Sequence, residues 1–309
     1  MNYDPTATLP LWDDFLATVT NEDIDLALFL RRCAGYSLTG STLEEKLFFV
    51  HGPTATGKST FIEALKATLG DYAQTADFET FLSRSQGGGP RNDIAGLAGS
   101  RFVASIEVDK GRRLAEGLVK QLTGGDTVHA RFLYHEGFSF KPAFKLWLSA
   151  NDAPRASDDD SALWRRILRV PFEHSIPGSE RDPSVKARLT DPAIAGAAIL
   201  AWAVEGCRDW QVLGLRVPER VKAATESYRQ EQDPLKDFFS ERCIFMPKAE
   251  TKASELWRAY RDWAAENGER WPVTRQDFVK RLTARGCVER RGAKGVRFWR
   301  GVGLLLIRA

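Results

Sequence analysis

Hydrophobic and polar positions change their spacing several times along the chain. From Lys46 onward, short apolar runs of strand length alternate with stretches of helical spacing, and the runs read KLFFV, RFVASI, FKLWLSA and ILRVPF. That alternation predicts an α/β fold with a parallel sheet and helices on both faces. Residues 11–40, which precede it, have one apolar face at helical spacing and predict a small helical collar.

The C-terminal part of the chain has a different pattern. A helix ends at a linker near Asp233 and Pro234, and two further helices are predicted over 253–267 and 275–285. The closing run CVERRGAKGVRFWRGVGLLLI predicts two strands around a basic turn. Two helices followed by a basic hairpin favour a winged-helix-like domain. The predicted domains are the collar (1–42), the sheet domain (43–232) and the winged-helix-like domain (233–309).

Composition adds one asymmetry to this picture. The chain has 309 residues, of which 43% are hydrophobic and 28% charged, as in a globular protein. The net charge of +3 says little, but residues 248–309 contain 15 Lys or Arg against 7 Asp or Glu. This excess predicts a polyanionic partner for the C-terminal segment, and a solvated basic face is the alternative.

Cysteine usage and hydropathy restrict the class of protein further. The four cysteines form no Cys-x-x-Cys pair and have no neighbouring histidines, so neither a zinc site nor a disulfide framework is indicated. No apolar run is long enough to cross a bilayer, and the N-terminus lacks the basic-then-apolar layout of a secretion signal. We therefore expect reduced thiols, a cytoplasmic location and no membrane contact.

The first apolar run leads into a phosphate-binding motif. GPTATGKS matches the G-x-x-x-x-G-K-[ST] pattern between a predicted strand and a predicted helix. Inward-pointing N–H groups and the positive end of the helix dipole are expected to bind a nucleotide triphosphate. Lys58 is expected to contact the β and γ phosphates, and the Ser59 hydroxyl to ligate Mg²⁺. The predicted nucleotide-binding residues are Gly52, Pro53, Thr54, Ala55, Thr56, Gly57, Lys58, Ser59 and Thr60.

Polar residues that follow two later strands are candidates for catalysis. Glu107 and Asp109 follow RFVASI, and one could hold the metal while the other orients or deprotonates the attacking water. Glu107 is the first choice as metal ligand and catalytic acid, and Asp109 the second. Asn151 follows FKLWLSA and could hydrogen-bond both the γ-phosphate and that water. The alternative for all three is an ordinary solvated turn.

Two adjacent arginines, Arg165 and Arg166, precede the last predicted strand of the sheet. On a short helix they point in different directions, so at most one faces a given site. An arginine can stabilise charge on the transferring phosphoryl group, and in ring ATPases the neighbouring subunit donates it. Arg166 is the first choice for this role and Arg165 the second, with a structural ion pair to SDDD as the alternative.

Five sequence blocks stand in an order that resembles the superfamily 3 helicases of phages, plasmids and poxvirus-like primase-helicases. The blocks are GPTATGKST, ASIEVD, LVKQLTGGD, KLWLSAND and WRRI, and the resemblance covers roughly residues 14–172. It implies an AAA+-like P-loop ATPase that uses ATP and Mg²⁺. It further implies a hexameric ring that moves along single-stranded DNA and unwinds forked DNA during replication of a phage or plasmid in a bacterial host cytoplasm.

The resemblance also assigns individual residues. It makes Glu107 the second-motif acid and Asn151 the sensor, although ASIEVD stands where family members of this branch often read ASE. Residues 131–141 would form a hairpin that projects into the channel of the ring. His135 near its tip would contact the DNA backbone or sugar, and a surface histidine without a role is the alternative. The other DNA-contacting residues implied in this region are Lys120, Arg131 and Lys141.

The C-terminal hairpin supplies a second predicted DNA contact. Arg290, Arg291, Lys294 and Arg297 are expected to bind phosphates of duplex DNA, and a surface for protein contacts is the alternative. Since a primase domain does not fit before Trp12, we expect a stand-alone helicase or a piece of a longer protein, with a primase or polymerase as partner. Two other functions stay open: a P-loop kinase, and an origin-binding protein whose assembly is set by nucleotide.

Overall fold

A computed structural model describes residues 3–83, 91–106, 112–269, 272–292 and 295–305 of the chain. It divides into two compact units, Met1–Arg229 and Gln230–Ala309. The predicted α/β class is confirmed, because the first unit contains a five-stranded parallel sheet with helices on both faces. No helix within these ranges has the length and apolar character needed to cross a bilayer. Cys33, Cys207, Cys243 and Cys287 are all free thiols.

The secondary structure elements follow the predicted alternation. The strands are β1 (Leu47–His51), β2 (Ala73–Thr75), β3 (Phe102–Ile106), β4 (Val128–Arg131), β5 (Gly137–Phe140), β6 (Lys145–Ala150), β7 (Ile167–Pro171), β8 (Cys243–Lys252), β9 (Val288–Arg291) and β10 (Arg297–Leu304). The helices are α1 (Pro10–Thr20), α2 (Ile24–Leu38), α3 (Lys58–Leu69), α4 (Asn92–Ala95), α5 (Glu116–Thr123), α6 (Ser161–Trp164), α7 (Pro183–Leu189), α8 (Gly196–Leu213), α9 (Glu219–Glu231), α10 (Lys236–Arg242), α11 (Ala253–Glu266) and α12 (Arg275–Ala284).

The parallel sheet has the strand order β2-β3-β6-β1-β7. Strand β1, which carries the phosphate-binding motif, pairs with β6 on one side and β7 on the other. In this register Val50 lies opposite both Ser149 and Val170. Because all five strands run in the same direction, the loops that follow β1 and β6 meet at one edge of the sheet, where open α/β sheets bind ligands.

One face of the sheet packs on the N-terminal helices. Phe48 and Trp147 project into a core formed with α1, α2, α3 and α8, and the Trp147 indole donates a 3.0 Å hydrogen bond to Ser37 Oγ of α2. The Trp12 ring of α1 stacks on Phe61 of α3. Residues 1–42, predicted as a separate collar, therefore share their core with the sheet. The chain divides once, between Arg229 and Gln230.

The other face of the sheet carries a second core. Leu47, Phe49 and Leu148 pack there with α5, α6 and the β4–β5 hairpin. Alternate residues of β1 thus point to opposite faces and are buried on both, as expected for a central parallel strand. Tyr228 of α9 packs against Trp164 and closes this core.

The second unit has its own core and an antiparallel sheet of order β8-β10-β9. The two helices and the hairpin predicted after the linker are present as α11, α12 and β9–β10. Helix α10 and strand β8 were not predicted. Aromatic rings fill the core between helices and sheet, and Phe238 contacts Tyr260, Trp263 and Phe278.

Candidate active site

The segment between β1 and α3 forms a curled loop whose backbone needs special conformations. Gly52 has φ 155°, Ala55 has φ 60° and Gly57 has φ 84°. A Cβ at Gly52 would lie 1.8 Å from the carbonyl oxygen of Phe172, so only glycine allows β1 to turn against the end of β7. The motif sequence therefore fixes the path of the loop through sterics.

A segment after β7 holds the loop in place. The Ser175 hydroxyl donates to the Thr54 carbonyl oxygen at 2.9 Å, and the Ile176 N–H donates to the Ala55 carbonyl oxygen at 2.9 Å. Ala55, a residue with a Cβ at positive φ, is thereby held in a conformation that costs an L-residue about 1–2 kcal/mol. The loop is pre-shaped by neighbouring backbone.

Lys58 opens helix α3 and is buried beneath the loop. Its Nζ donates to the Gly52 carbonyl oxygen at 2.7 Å and to the Pro53 carbonyl oxygen at 2.5 Å, and it lies 3.3 Å from Thr56 Oγ1. Burial lowers the pKa of Lys58. The ammonium group is thus positioned at the positive end of the helix dipole, where anionic oxygens bind best.

A cavity of about 300 Å³ lies over the loop and the first turn of α3. Asn151, the residue after β6, also lines it, because pairing of Ala150 with His51 brings the ends of β6 and β1 side by side. The structure thus brings Asn151 and the phosphate-binding motif together at one edge of the sheet. The residues lining the cavity are Thr54, Ala55, Thr56, Gly57, Lys58, Ser59, Thr60, Asn151 and Lys186.

Lys186 is a cation of this cavity that the sequence analysis missed. It lies on α7, which begins after Asp182, whose Oδ1 accepts a hydrogen bond from Ser184 N. Lys186 Nζ lies 2.8 Å from Glu63 Oε2 of α3. No motif marks this lysine, and only the packing of α7 against α3 places it beside the loop. The cavity therefore has two ammonium groups, those of Lys58 and Lys186.

The predicted acids Glu107 and Asp109 lie outside the described residues. Strand β3 is described as far as Ile106, which is paired with Ser149 of β6. Ser59, the other predicted metal ligand, lines the cavity. Within the described ranges, no group of three or more His, Cys, Asp or Glu side chains could hold a metal ion. Of the predicted metal ligands, the described residues thus contain the Ser59 hydroxyl, a ligand type that suits Mg²⁺ in phosphate-binding loops.

Arg165 and Arg166 lie at the amino-terminal ends of the strands, whereas the cavity lies at their carboxyl-terminal ends. They precede Ile167, which pairs with Leu47 at the start of β1, whereas the phosphate-binding loop follows the end of β1. Five residues of extended strand span about 16 Å. Neither arginine is therefore placed to contact a phosphate bound in the cavity of the same chain.

The surroundings of the two arginines differ, and Arg165 is the more accessible, although Arg166 was the first choice from the sequence. The Arg166 side chain is 9% exposed, lies 3.1 Å from Glu45 and donates to the Ala162 carbonyl oxygen at 2.7 Å. The Arg165 side chain is 61% exposed and lies 3.0 Å from the same carboxylate. The ion-pair partner is thus Glu45 rather than the SDDD segment. Arg166 is occupied inside its own chain, and Arg165 is the one that a neighbouring molecule could reach.

Lys120, predicted to contact DNA, has a partner inside the protein. Its Nζ lies 2.6 Å from Asp160 Oδ2, and Asp160 also caps α6 by accepting from Leu163 N. This ion pair joins α5 to α6. The structure therefore gives Lys120 a structural contact, and its predicted DNA contact stays a prediction.

Strands β4 and β5 form the predicted hairpin, with a turn over residues 132–136. Arg131 lies opposite Gly137 at the end of the ladder, and both Arg131 and Lys141 are exposed. His135 is exposed in the turn, where its N–H donates to the Phe132 carbonyl oxygen at 3.1 Å. The described hairpin thus has Arg131 beside the turn, Lys141 at its base and a histidine near its tip.

The predicted basic residues of the second unit lie on the β9–β10 hairpin. Arg290 and Arg291 belong to β9 and are exposed, and Arg297 of β10 lies opposite Arg291. Arg297 is 3.5 Å from Glu289, which offsets part of the positive charge. Lys294 lies outside the described residues. The three described arginines lie on one exposed hairpin.

The fold and the cavity define a P-loop NTPase-type domain: a curled loop between a central parallel strand and a helix, with an asparagine at the end of the adjacent strand. A family model described as a family of unknown function, DUF5906, matches residues 50–166. This range includes the loop, Asn151 and both candidate arginines.

Proteins of large DNA viruses are similar over a longer range. "Putative helicase L207/L206" of Acanthamoeba polyphaga mimivirus is 30% identical over 250 residues, 74% of this chain and 26% of that protein. "Putative helicase 022R" of Frog virus 3 is 28% identical over 281 residues, 84% of this chain and 28% of that protein. "Putative primase C962R" of African swine fever virus (strain Badajoz 1971 Vero-adapted) is 27% identical over 235 residues, 70% of this chain and 24% of that protein.

The chain therefore spans about a quarter of the length of the curated relatives it matches. Among solved structures, the apo structure of the NrS-1 C terminal region (305–718) superposes with a TM-score of 0.58 at 12% identity and covers 98% of this chain and 79% of that one. These similarities confirm the predicted resemblance to viral helicases and primases, and the assignment to superfamily 3 stays a prediction.

Proposed function

We propose that this chain is the ATP-hydrolysing motor of a replicative DNA helicase, acting with Mg²⁺ in a hexameric ring on single-stranded DNA. The observation that carries the proposal is the cavity in which Lys58, Ser59 and Asn151 meet, in a chain related to putative helicases. A volume of about 300 Å³ suits the phosphate end of a nucleotide.

Each residue of the cavity has its own proposed role in binding or hydrolysing ATP. Lys58 exchanges its loop carbonyls for phosphate oxygens, and Lys186 exchanges Glu63 for the terminal phosphate. Bound Mg²⁺, with the Ser59 hydroxyl as ligand, would neutralise charge on the phosphates. The Asn151 amide orients the attacking water and contacts the γ-phosphate, so loss of that phosphate changes its hydrogen bonding.

A ring would bring an arginine of one subunit to the cavity of the next. Arg165 is exposed at the edge of the sheet opposite the cavity, so it can complete the active site only in a neighbouring subunit. Each site would then lie at a seam between subunits, and hydrolysis would alter how the two subunits contact each other. This coupling converts a chemical step into movement of the parts that hold DNA.

Two exposed hairpins are the proposed DNA contacts. In the first unit, Arg131, His135 and Lys141 of the β4–β5 hairpin would hold the single strand in the channel. In the second unit, Arg290, Arg291 and Arg297 would bind backbone phosphates of forked DNA. A primase or polymerase is the proposed protein partner, since one of the relatives is named as a primase.

The decisive experiment measures ATP turnover of mixed rings with and without single-stranded DNA. Lys58→Ala and Arg165→Ala are each expected to be inactive alone. Mixed one to one, they should recover about one quarter of the wild-type rate, because one seam in four pairs an intact loop with an intact arginine. Arg208→Ala, which removes another exposed arginine, should keep wild-type turnover.

Other results would point to other functions. A mixture that recovers nothing would place Arg165 outside the active site of a neighbour. Turnover that is equal with and without DNA favours a P-loop enzyme of another class, such as a kinase. If Lys58→Ala abolishes assembly whereas Asn151→Ala changes nothing, an assembly protein whose oligomeric state is set by nucleotide is favoured. The proposal requires Asn151→Ala to bind ATP and fail to hydrolyse it.

A further inference from the structure

The turn of the β4–β5 hairpin is apolar where a phosphate-binding turn would be cationic. Phe132 is 42% exposed, Leu133 is 48% exposed and Tyr134 is 96% exposed. Between Arg131 and Lys141, the only side chain with a full charge at neutral pH is Glu136, which repels phosphate. The turn therefore offers aromatic surface to a ligand, with Arg131 where the turn begins and Lys141 at the base of the hairpin.

The turn holds Tyr134 in this outward position by its own geometry. Tyr134 has φ 63°, a strained conformation that is a real outlier for a bulky residue. The neighbouring residue Leu133 is tied down, since its N–H donates to Asn92 Oδ1 of α4. The Phe132 ring stacks on Phe138 at 5.8 Å with an interplanar angle of 23°. The turn is thus braced on both sides of a ring that points into solvent.

Two costs are paid to keep this ring in water. Burial of an aromatic side chain stabilises a fold, and the exposed Tyr134 ring forgoes that stabilisation. The positive φ adds its own strain. A glycine or a polar residue at this position would avoid both costs. A flat aromatic face with a hydroxyl at its edge matches a nucleobase, and stacking on bases strengthens binding of single strands.

We propose that Tyr134 stacks on a base of single-stranded nucleic acid, while Arg131 and Lys141 attract the backbone. This inference rests on the proposed function and deepens it, because it names the base face as the part of the strand that the hairpin tip grips. Grip by stacking tolerates any sequence, since every base has a flat face, and it does not depend on counterion release. The stacking contact is absent at any nucleotide that lacks its base.

The test compares two ligands that differ only in their bases. Binding of the full chain, with a non-hydrolysable ATP analogue, is measured by fluorescence anisotropy on an oligothymidylate of about 20 nucleotides and on an abasic sugar-phosphate strand of the same length. We expect the wild type to bind oligothymidylate about tenfold more tightly than the abasic strand. Tyr134→Ala should remove that difference, and Tyr134→Phe and Tyr134→Trp should retain it.

Control variants separate stacking from charge and from folding. Arg131→Ala should weaken binding of both strands by the same factor, because it contacts backbone only. Tyr72→Ala, which removes another exposed tyrosine of the first unit, should bind both strands like the wild type. Equal thermal unfolding midpoints of Tyr134→Ala and the wild type would show that the exposed ring does not support the fold.

The outcomes distinguish this inference from the proposed function. If Tyr134→Ala weakens both strands equally, or neither, the tip does not stack on bases although the chain binds DNA. If Tyr134→Phe behaves like Tyr134→Ala, the hydroxyl rather than the ring face makes the contact, and stacking is overturned. If the wild type binds neither strand, the proposed function fails together with the inference.

Discussion

Lys145, at the start of β6, shows how strongly position controls the chemistry of a lysine. Its side chain is buried, and its Nζ donates to the carbonyl oxygens of Thr39 and Ser41 and lies 4.7 Å from the centre of the Tyr36 ring. Burial lowers the pKa of Lys145 to about 7 from the ordinary 10.5, and the nearby positive charge of Arg101 adds to the effect. Near neutral pH the fold therefore contains a lysine that readily loses its proton.

The lowered pKa of Lys145 predicts how stability depends on pH. Between pH 7 and 10.5 the unfolded chain keeps a proton that the folded chain has released, so this residue makes the free energy of unfolding rise with pH. Below pH 7 both states are charged and the full cost of burying the charge is present. Replacing Lys145 by Met should reduce the slope of that free energy by up to about 1.4 kcal/mol per pH unit within this window.

Guanidinium unfolding of the wild type and Lys145→Met from about pH 6 to about pH 10, followed by tryptophan fluorescence, checks this prediction. Lys46→Met is a useful comparison, since burial lowers the pKa of Lys46 as well. Parallel pH profiles for the wild type and Lys145→Met would contradict the lowered pKa.

At the scale of secondary structure elements, the sequence predicted those elements that are determined by their own residues. The strand-loop-helix unit around Lys58 followed from one motif, and α11 and α12 followed from their apolar spacing. Strand β8 was missed because its sequence contains Pro247 and has weak alternation, and it exists by pairing with β10 about 50 residues later. Lys186 was missed for a similar reason: only packing of α7 on α3 brings it to the cavity.

The junction of α1 with the phosphate-binding loop supports a prediction at this scale. Gly57 has φ 84°, and a Cβ there would lie 2.4 Å from Val19 Cγ1 of α1. Gly57→Ala should therefore lower the free energy of unfolding by about 2–4 kcal/mol, combining backbone strain with overpacking. Gly70→Ala is the matched control: Gly70 has φ 54° and open space around it, so only the strain of about 1–2 kcal/mol applies.

Chemical denaturation of the two alanine variants measures the difference between them, and Val19→Ala in the Gly57→Ala background should recover part of the loss. Equal costs for Gly57→Ala and Gly70→Ala would show that α1 does not press on the loop.

At the scale of the whole molecule, the proposed ATP site has two parts. The phosphate-binding loop lies at the carboxyl-terminal ends of the parallel strands, and Arg165 lies at their amino-terminal ends. The motif predicted the loop, and the order of blocks predicted both an asparagine and an arginine for the site. The choice between Arg165 and Arg166 could not follow from sequence, because it depends on Glu45, which is distant in the chain and close in space. The aromatic tip of the β4–β5 hairpin was likewise not predicted as a contact, because the family resemblance indicated His135 instead.

The basic β9–β10 hairpin of the second unit supports a prediction about how DNA binding depends on salt. If Arg290 and Arg291 each neutralise one phosphate, replacing both by Ala should weaken binding of forked DNA regardless of sequence. The slope of log affinity against log salt concentration should become shallower by about 2.

Replacing Arg258 and Arg261, two exposed arginines of α11, removes the same charge from another surface and should leave the slope close to that of the wild type. Anisotropy titrations over a range of salt concentrations measure the slopes. Equal changes in both double variants would mean that net charge, and not the β9–β10 hairpin, determines DNA binding by this unit.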